Sequence, residues 1–210
     1  MTRSPARLGL VLLALAAFAL SAPRPAVPAG SAVTVRDDFA RDNPRWTFVA
    51  GQWGRRESGG RSVLAQTKET QPWAVALLEE AAFTDVDVSV RFRPISGKED
   101  ASGGIILRAK DGLNYYVVRA NALENNFRLY TVIKGARRTL ASARVREPKL
   151  GEWHTLRVTA ERSRIQAWLD GKHELDHNDT TFTQGFIGLW TKADSVTEFA
   201  DLQVTGTAAP

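Results

Sequence analysis

Between Glu152 and Val204 the sequence reads EWHTLRVTAERSRIQAWLDGKHELDHNDTTFTQGFIGLWTKADSVTEFADLQV. Short extended runs alternate with turn residues, and no helical apolar period interrupts them, so the stretch reads as consecutive strands. Trp153 to Glu161 and Ile165 to Leu169 form a hairpin over Arg162-Ser163. Asp170-Gly171 supplies the next tight turn, because glycine accepts the positive φ such turns need. The Gly-x-x-Gly-x-Trp segment from Gly185 to Trp190 opens the next strand, and Val196 to Val204 closes the domain.

The upstream chain follows the same plan. Phe83 to Arg93 is its clearest strand: Thr84, Val86, Val88, Val90 and Phe92 form a mostly apolar row, and Asp85, Asp87, Ser89, Arg91 and Arg93 a polar one. Successive strand side chains point to opposite faces, so one row packs on a partner sheet and the other meets solvent or a groove. Val33–Arg36, Trp46–Ala50, Ser62–Thr67, Trp73–Glu79, Tyr115–Asn121, Phe127–Ile133 and Arg138–Val145 read as further strands between glycine, proline and asparagine turns. About a dozen short strands at hairpin spacing specify an all-β sandwich or barrel.

Arg3 and Arg7 flank an apolar run, Leu8 to Leu20, and a Pro/Ala-rich stretch follows. That order is the order of a secretory leader, and the run is shorter than the roughly 18 residues that cross a bilayer. Residues 1–30 are therefore expected to be a removable leader, 31–205 one sandwich domain and 206–210 a loose tail. An exported protein is expected, whether periplasmic, secreted or at the cell surface, with no membrane span after cleavage. The full chain carries 28 basic and 23 acidic residues, but three of the arginines lie in the leader, leaving 25 against 23, or +2. A near-balanced domain has no nucleic-acid footprint. The absence of cysteine excludes a disulfide scaffold and thiol chemistry, so the core alone must hold the fold. A monomer is expected.

Several motifs occur in a familiar order: DDF near Asp37, SGGIILR at Ser102–Arg108, NYYVVRA at Asn114–Ala120, EWHTLRV at Glu152–Val158, WLDGK at Trp168–Lys172, and GFIGLWTKADSVTEFADLQV at Gly185–Val204. In this order they resemble the concanavalin A-like lectin/glucanase superfamily, and within it the exported bacterial domains classed as 3-keto-disaccharide hydrolase or, loosely, laminin G-like. The resemblance implies a jelly-roll sandwich of two antiparallel sheets, one concave, with carbohydrate bound on the concave side. Fold does not carry function, so the site is argued from residues.

His173-Glu174-Leu175-Asp176-His177 spells H-E-x-x-H. Zinc chemistry needs that string on a helix, where positions four apart share a face. Here it continues a hairpin, and on an extended strand the two histidines sit roughly 13 Å apart, too far for one ion. Asp85-x-Asp87-x-Ser89 approaches the alternating carboxylates of family 16 glycosidases but has no glutamate and ends on serine. The densest polar group is Arg119, Asn121, Glu124, Asn125 and Asn126, with Trp190, Lys192 and Asp194 on the Gly-x-x-Gly-x-Trp strand and Arg108 on a neighbouring one. Amides and guanidinium groups present donors and acceptors in fixed planes, which suits sugar hydroxyls. Trp190 is the candidate stacking platform and Trp168, facing outward by strand parity, a second. Glu124, Asp194 and Asp87 are the candidate acid/base groups. Asp38 and Asp201, on the first and last strands, are candidate oxygen ligands for a structural calcium, and no other cofactor is expected. The function expected is glycan recognition on the concave face; the alternatives are hydrolysis or lysis of glycosides such as 3-keto-disaccharides, and structural or adhesive binding of protein through a sheet edge.

Overall fold

The computed structural model describes residues 27–210, and the expected leader lies, up to residue 26, outside them. The described residues form fourteen strands: β1 (Ala32–Asp37), β2 (Trp46–Ala50), β3 (Trp53–Ser58), β4 (Arg61–Gln66), β5 (Thr70–Ser96), β6 (Ser102–Asp111), β7 (Asn114–Asn121), β8 (Asn126–Ile133), β9 (Ala136–Arg144), β10 (His154–Glu161), β11 (Arg164–Leu169), β12 (Lys172–Asn178), β13 (Gly185–Ala193) and β14 (Val196–Ala208). Every pairing is antiparallel.

β5 organises the architecture. It runs for 27 residues. Its first part, to Leu78, pairs with β2 and β13, and its second part, from Val86, pairs with β10 and β14. It therefore belongs to both layers of a jelly-roll sandwich. Layer one runs β12-β11-β10-β5-β14-β1, with β4 and β3 beside the start of β14; layer two runs β2-β5-β13-β6-β7-β8-β9. The core lies between them. Val86, Val88, Val90 and Phe92 of β5 are at most 5% exposed and pack with Ile105, Val118 and Leu189 of layer two. Each such side chain, taken out of water, contributes about 1.5–3 kcal/mol.

Asp170 (φ 49°) and Gly171 (φ 80°) make the tight turn into β12, and H-E-x-x-H lies on that extended strand, His173 opposite Trp168 and His177 opposite Ile165. Two boundaries differ from expectation. Residues 206–208 are not a loose tail: β14 continues to Ala208, with Gly206 opposite Val33 and Thr207 opposite Ala32. The backbone donors and acceptors of β1 need partners, and this end of β14 supplies them. Trp53–Ser58, which is not among the strands expected from the sequence, is a strand paired along its length with β4.

Candidate functional site

The outer face of layer two, turned away from the core, gathers the polar cluster. Strand register places Trp190 of β13 opposite Val75 and Gly104, Gly104 opposite Arg119 of β7, and Arg119 opposite Arg128 of β8. Residues two positions along each strand share that face, which brings in Trp73, Lys192, Tyr115, Tyr130 and, opposite Val132, Arg137 of β9. Much of the face is a second small core. Val75, Leu77, Ile106, Tyr115, Val117, Tyr130 and Trp190 are each at most 2% exposed, with Trp73 and Phe186 packed against them. The signal for this was present in β7, whose run Tyr115-Tyr116-Val117-Val118 is apolar on both parities; strands covered on both faces read that way.

At one end the apolar floor gives way to charge. The Arg119 guanidinium, 2% exposed, donates through Nη2 to Glu124 Oε2 (2.7 Å) and to the Tyr130 hydroxyl (3.3 Å). Asn126 Nδ2 donates to the same Glu124 oxygen (2.8 Å). Burial acts to raise the Glu124 pKa, but the hydrogen bonds from Arg119 and Asn126 and the charges of Arg119 and Arg128 outweigh it, so the carboxyl titrates below its ordinary value. Arg128 Nη1 reaches the Tyr130 hydroxyl at 3.5 Å. Arg137 lies over Tyr130 (4.4 Å to the ring centroid), Trp73 (5.5 Å) and Trp190 (5.9 Å). Lys192 Nζ sits 3.3 Å from the buried Asp100 carboxylate. Arg119 Nε and Nη1, Arg137 Nη1, Asn121 Nδ2 and Asn126 Oδ1 are buried with no hydrogen-bond partner, whereas the buried Trp190 indole N–H and Tyr115 hydroxyl face each other. Burial raises the Tyr115 pKa against the smaller, opposing effects of its hydrogen bond with Trp190 and the charge of Arg137.

Of the residues singled out in the sequence, Arg119, Asn121, Glu124, Asn126, Trp190 and Lys192 meet on this face, with Asn125 on the rim beside Glu124. Others lie elsewhere. Trp190 is 0% exposed, packed against Trp73 at 6.1 Å, so it presents no open ring face for stacking; Trp73 is the half-exposed partner. Arg108 is 1% exposed and donates to the carbonyls of Thr84 (3.1 and 2.8 Å) and Phe182 (3.2 Å), which occupies its fork with backbone. Asp194 accepts the N–H groups of Lys98 (2.6 Å), Glu99 (3.0 Å) and Asp100 (2.9 Å); these bonds, Lys98 foremost, hold its pKa below the ordinary value and make it the anchor of the 97–101 loop. Asp87 and Trp168 are on the opposite side of the sandwich, in layer one, where Arg157 pairs with Asp87 (2.6 Å) and lies over Trp168 (4.6 Å). Asp38 and Asp201 line a groove of about 700 Å³, also on layer one. There Asp201 is engaged by Arg61 and Arg91, and among the described residues no three acidic, histidine or cysteine side chains are placed to hold an ion. Arg128, Tyr130 and Arg137 were not singled out by sequence, because only the pairing of β7, β8 and β9 brings them to Arg119.

The sandwich recurs in solved structures. The carbohydrate binding module CBM66 from Bacillus subtilis is 21% identical, with a TM-score of 0.67 over 75% of this chain and 93% of the module. A Bacillus subtilis protein of unknown function with a galectin-like fold is 13% identical, with a TM-score of 0.64 over 87% of this chain and 99% of that one. A GH16 protein from a Bacteroides ovatus mixed linkage glucan PUL, solved in complex with a G4G4G3G product, is 11% identical, with a TM-score of 0.60 over 80% of this chain and 98% of that one. At these identities the likeness is one of fold. None of the curated proteins matches the chain. The model of the 3-keto-alpha-glucoside-1,2-lyase-like domain matches residues 35–205. This span runs from Val35 in β1 to Thr205 in β14 and takes in every residue of the layer-two cluster, and the chain belongs to that domain family.

Proposed function

We propose that this is an exported carbohydrate-recognition domain that takes a glycan on the outer face of layer two, at the end formed by Arg119, Asn126, Tyr130, Arg137 and Trp73. The observation that carries the reading is the set of buried, unpartnered polar atoms on that face. Buried donors are almost always paired in a folded protein, and each one left alone costs about 1–3 kcal/mol. A saccharide edge-on to Asn126 and Arg137, the partly exposed members of the set, supplies the missing partners there, while the half-exposed Trp73 gives its ring an apolar surface. Binding to a panel of immobilised oligosaccharides is the direct measurement. Trp73→Ala and Asn126→Ala are each expected to weaken the retained glycan about tenfold, the equivalent of one good hydrogen bond or ring contact. Undiminished affinity in both variants, with native melting curves, removes the site from this face.

A second reading is elimination from a 3-keto-glucoside, favoured by the family's description. In that chemistry a base removes the C2 proton, made acidic by the C3 ketone. The electron pair forms the C1–C2 double bond, and the C1–O bond breaks with its electrons on the departing oxygen, which takes up a proton. Of the three candidate acids, Glu124 alone lies in this cluster with a partly exposed side chain (41%), and both of its hydrogen bonds fall on Oε2. A carboxylate is ionised at neutral pH, as a base must be, and the hydrogen bonds that lower its pKa make Glu124 a weaker base than a free glutamate. If the reading is right, Glu124→Gln lowers turnover of a 3-keto-disaccharide by roughly a hundredfold or more. Equal turnover by wild type and variant removes Glu124 from that role.

A further inference from the structure

The layer-two cluster carries an imbalance that a neutral sugar does not relieve. The guanidinium groups of Arg119, Arg128 and Arg137, from three successive strands, converge on one side chain, Tyr130. Only one of the three is paired: Arg119 has Glu124, whereas neither Arg128 nor Arg137 has a carboxylate within 4.0 Å among the described residues. Three like charges held together in a partly dehydrated place are unfavourable unless a counter-charge joins them.

The unpartnered atoms point the same way. Arg119 Nε and Nη1, Arg137 Nη1 and Asn121 Nδ2 are all donors, and only Asn126 Oδ1 is purely an acceptor. The Tyr130 hydroxyl accepts from two arginines, so its own hydrogen is free for an incoming acceptor. A sugar hydroxyl accepts through two lone pairs but also brings one donor hydrogen, for which this field offers few acceptors. A carboxylate or sulfate only accepts, carries negative charge, and bonds guanidinium groups more strongly than a neutral group does. Lys192 does not supply this charge, because Asp100 already neutralises it.

We infer that the ligand of this face is an acidic saccharide, whose oxyanion, a uronate carboxylate or a sulfate ester, sits among Arg119, Arg128, Arg137 and Tyr130. The inference rests on the carbohydrate reading above and narrows it to one class of glycan. The oxyanion neutralises the two unpaired guanidinium groups, and the remaining ring lies toward Trp73 and Asn126. Binding then weakens as ionic strength rises, because part of it is charge pairing.

The test is a glycan array carrying uronate-containing, sulfated and neutral oligosaccharides, probed with the full chain and followed by calorimetry on the best member of each class. Acidic glycans are expected to bind at least tenfold more tightly than neutral ones of the same length, and the uronate and sulfated arms identify which oxyanion is taken. Arg137→Gln is expected to abolish that preference and Arg137→Lys to retain part of it. Arg128→Gln, at a half-buried site, gives the same reading should Arg137→Gln fail to fold. Neutral and acidic glycans bound equally, or a preference unchanged in both glutamine variants, overturns the acidic class while leaving carbohydrate recognition standing. Binding of no glycan in any class overturns both.

Discussion

Replacing Glu198 by alanine is expected to destabilise the domain by about 3–5 kcal/mol, the cost of leaving a buried partner charge alone. Glu198 is on β14, between Ala65 of β4 and Arg93 of β5, and its side chain is 1% exposed. Arg56 donates to Oε1 through Nε (3.1 Å) and Nη2 (2.6 Å), and Arg93 donates to Oε2 through Nε (2.9 Å) and Nη2. Arg93, 18% exposed, would lose its carboxylate while remaining under Trp153, whose ring centroid is 4.8 Å away. For a domain of this size the loss corresponds to a fall in Tm of about 6–20 °C. The pH dependence has a definite sign. Burial acts to raise the Glu198 pKa, but the hydrogen bonds from Arg93, Arg56 and Ser58 outweigh it, so the folded value lies below the ordinary one. The stabilisation is therefore complete above the unfolded-state pKa, about 4.3, and is lost as pH falls through the folded value. Thermal melts of wild type from neutral pH downward should show this loss, and Glu198→Gln, which cannot ionise, should show a shallower acid limb. Equal melting temperatures for wild type and Glu198→Ala would refute the assignment.

Gly188→Ala is expected to cost about 3 kcal/mol, at the upper end of what overpacking costs. Gly188 is in β13, at the centre of layer two, and a Cβ there would stand 2.3 Å from the carbonyl oxygen of Ala76 and 3.0 Å from Leu77 Cδ2. The nearer obstacle is backbone already committed to sheet pairing, so relief requires β5 and β13 to separate. Because β13 also carries Trp190 and Lys192, such a shift would disturb the site as well as the fold. Gly54→Ala is the control: a Cβ there meets nothing within 4 Å, and its effect should stay within about 0.5 kcal/mol. Chemical denaturation of both variants decides the matter, and similar midpoints would show that β13 yields easily.

The two layers were not equally legible. In layer one, the alternation of Phe83–Arg93 and the Asp170-Gly171 turn are local signals, and the strands run where they indicate. In layer two both faces of the strands are covered, so the residue type of Trp190 does not reveal that it packs in a second core on the outer face and not as an open platform. A guanidinium on a strand suits a sugar, but Arg108, with its backbone at φ 48°, is buried and spends its donors on the carbonyls of Thr84 and Phe182. Glu124 and Asn126 are legible in the sequence because a loop collects polar residues close together, and Arg119 lies within reach of them.

Sequence alone determined the all-β class, the family resemblance and the extended conformation of H-E-x-x-H, because each depends on side-chain period, turn chemistry or motif order along a single stretch of chain. Only the tertiary structure decided which face each candidate occupies. Strand parity sorts residues into two rows but does not say which layer a row belongs to, and β5, which crosses from layer two to layer one, carries Trp73 and Asp87 to opposite sides of the sandwich. Nor does it give the register that brings Arg128 and Arg137 to Tyr130 beside Arg119. That register is set by non-local pairing, in which a one-residue slip would send every one of these side chains to the other face.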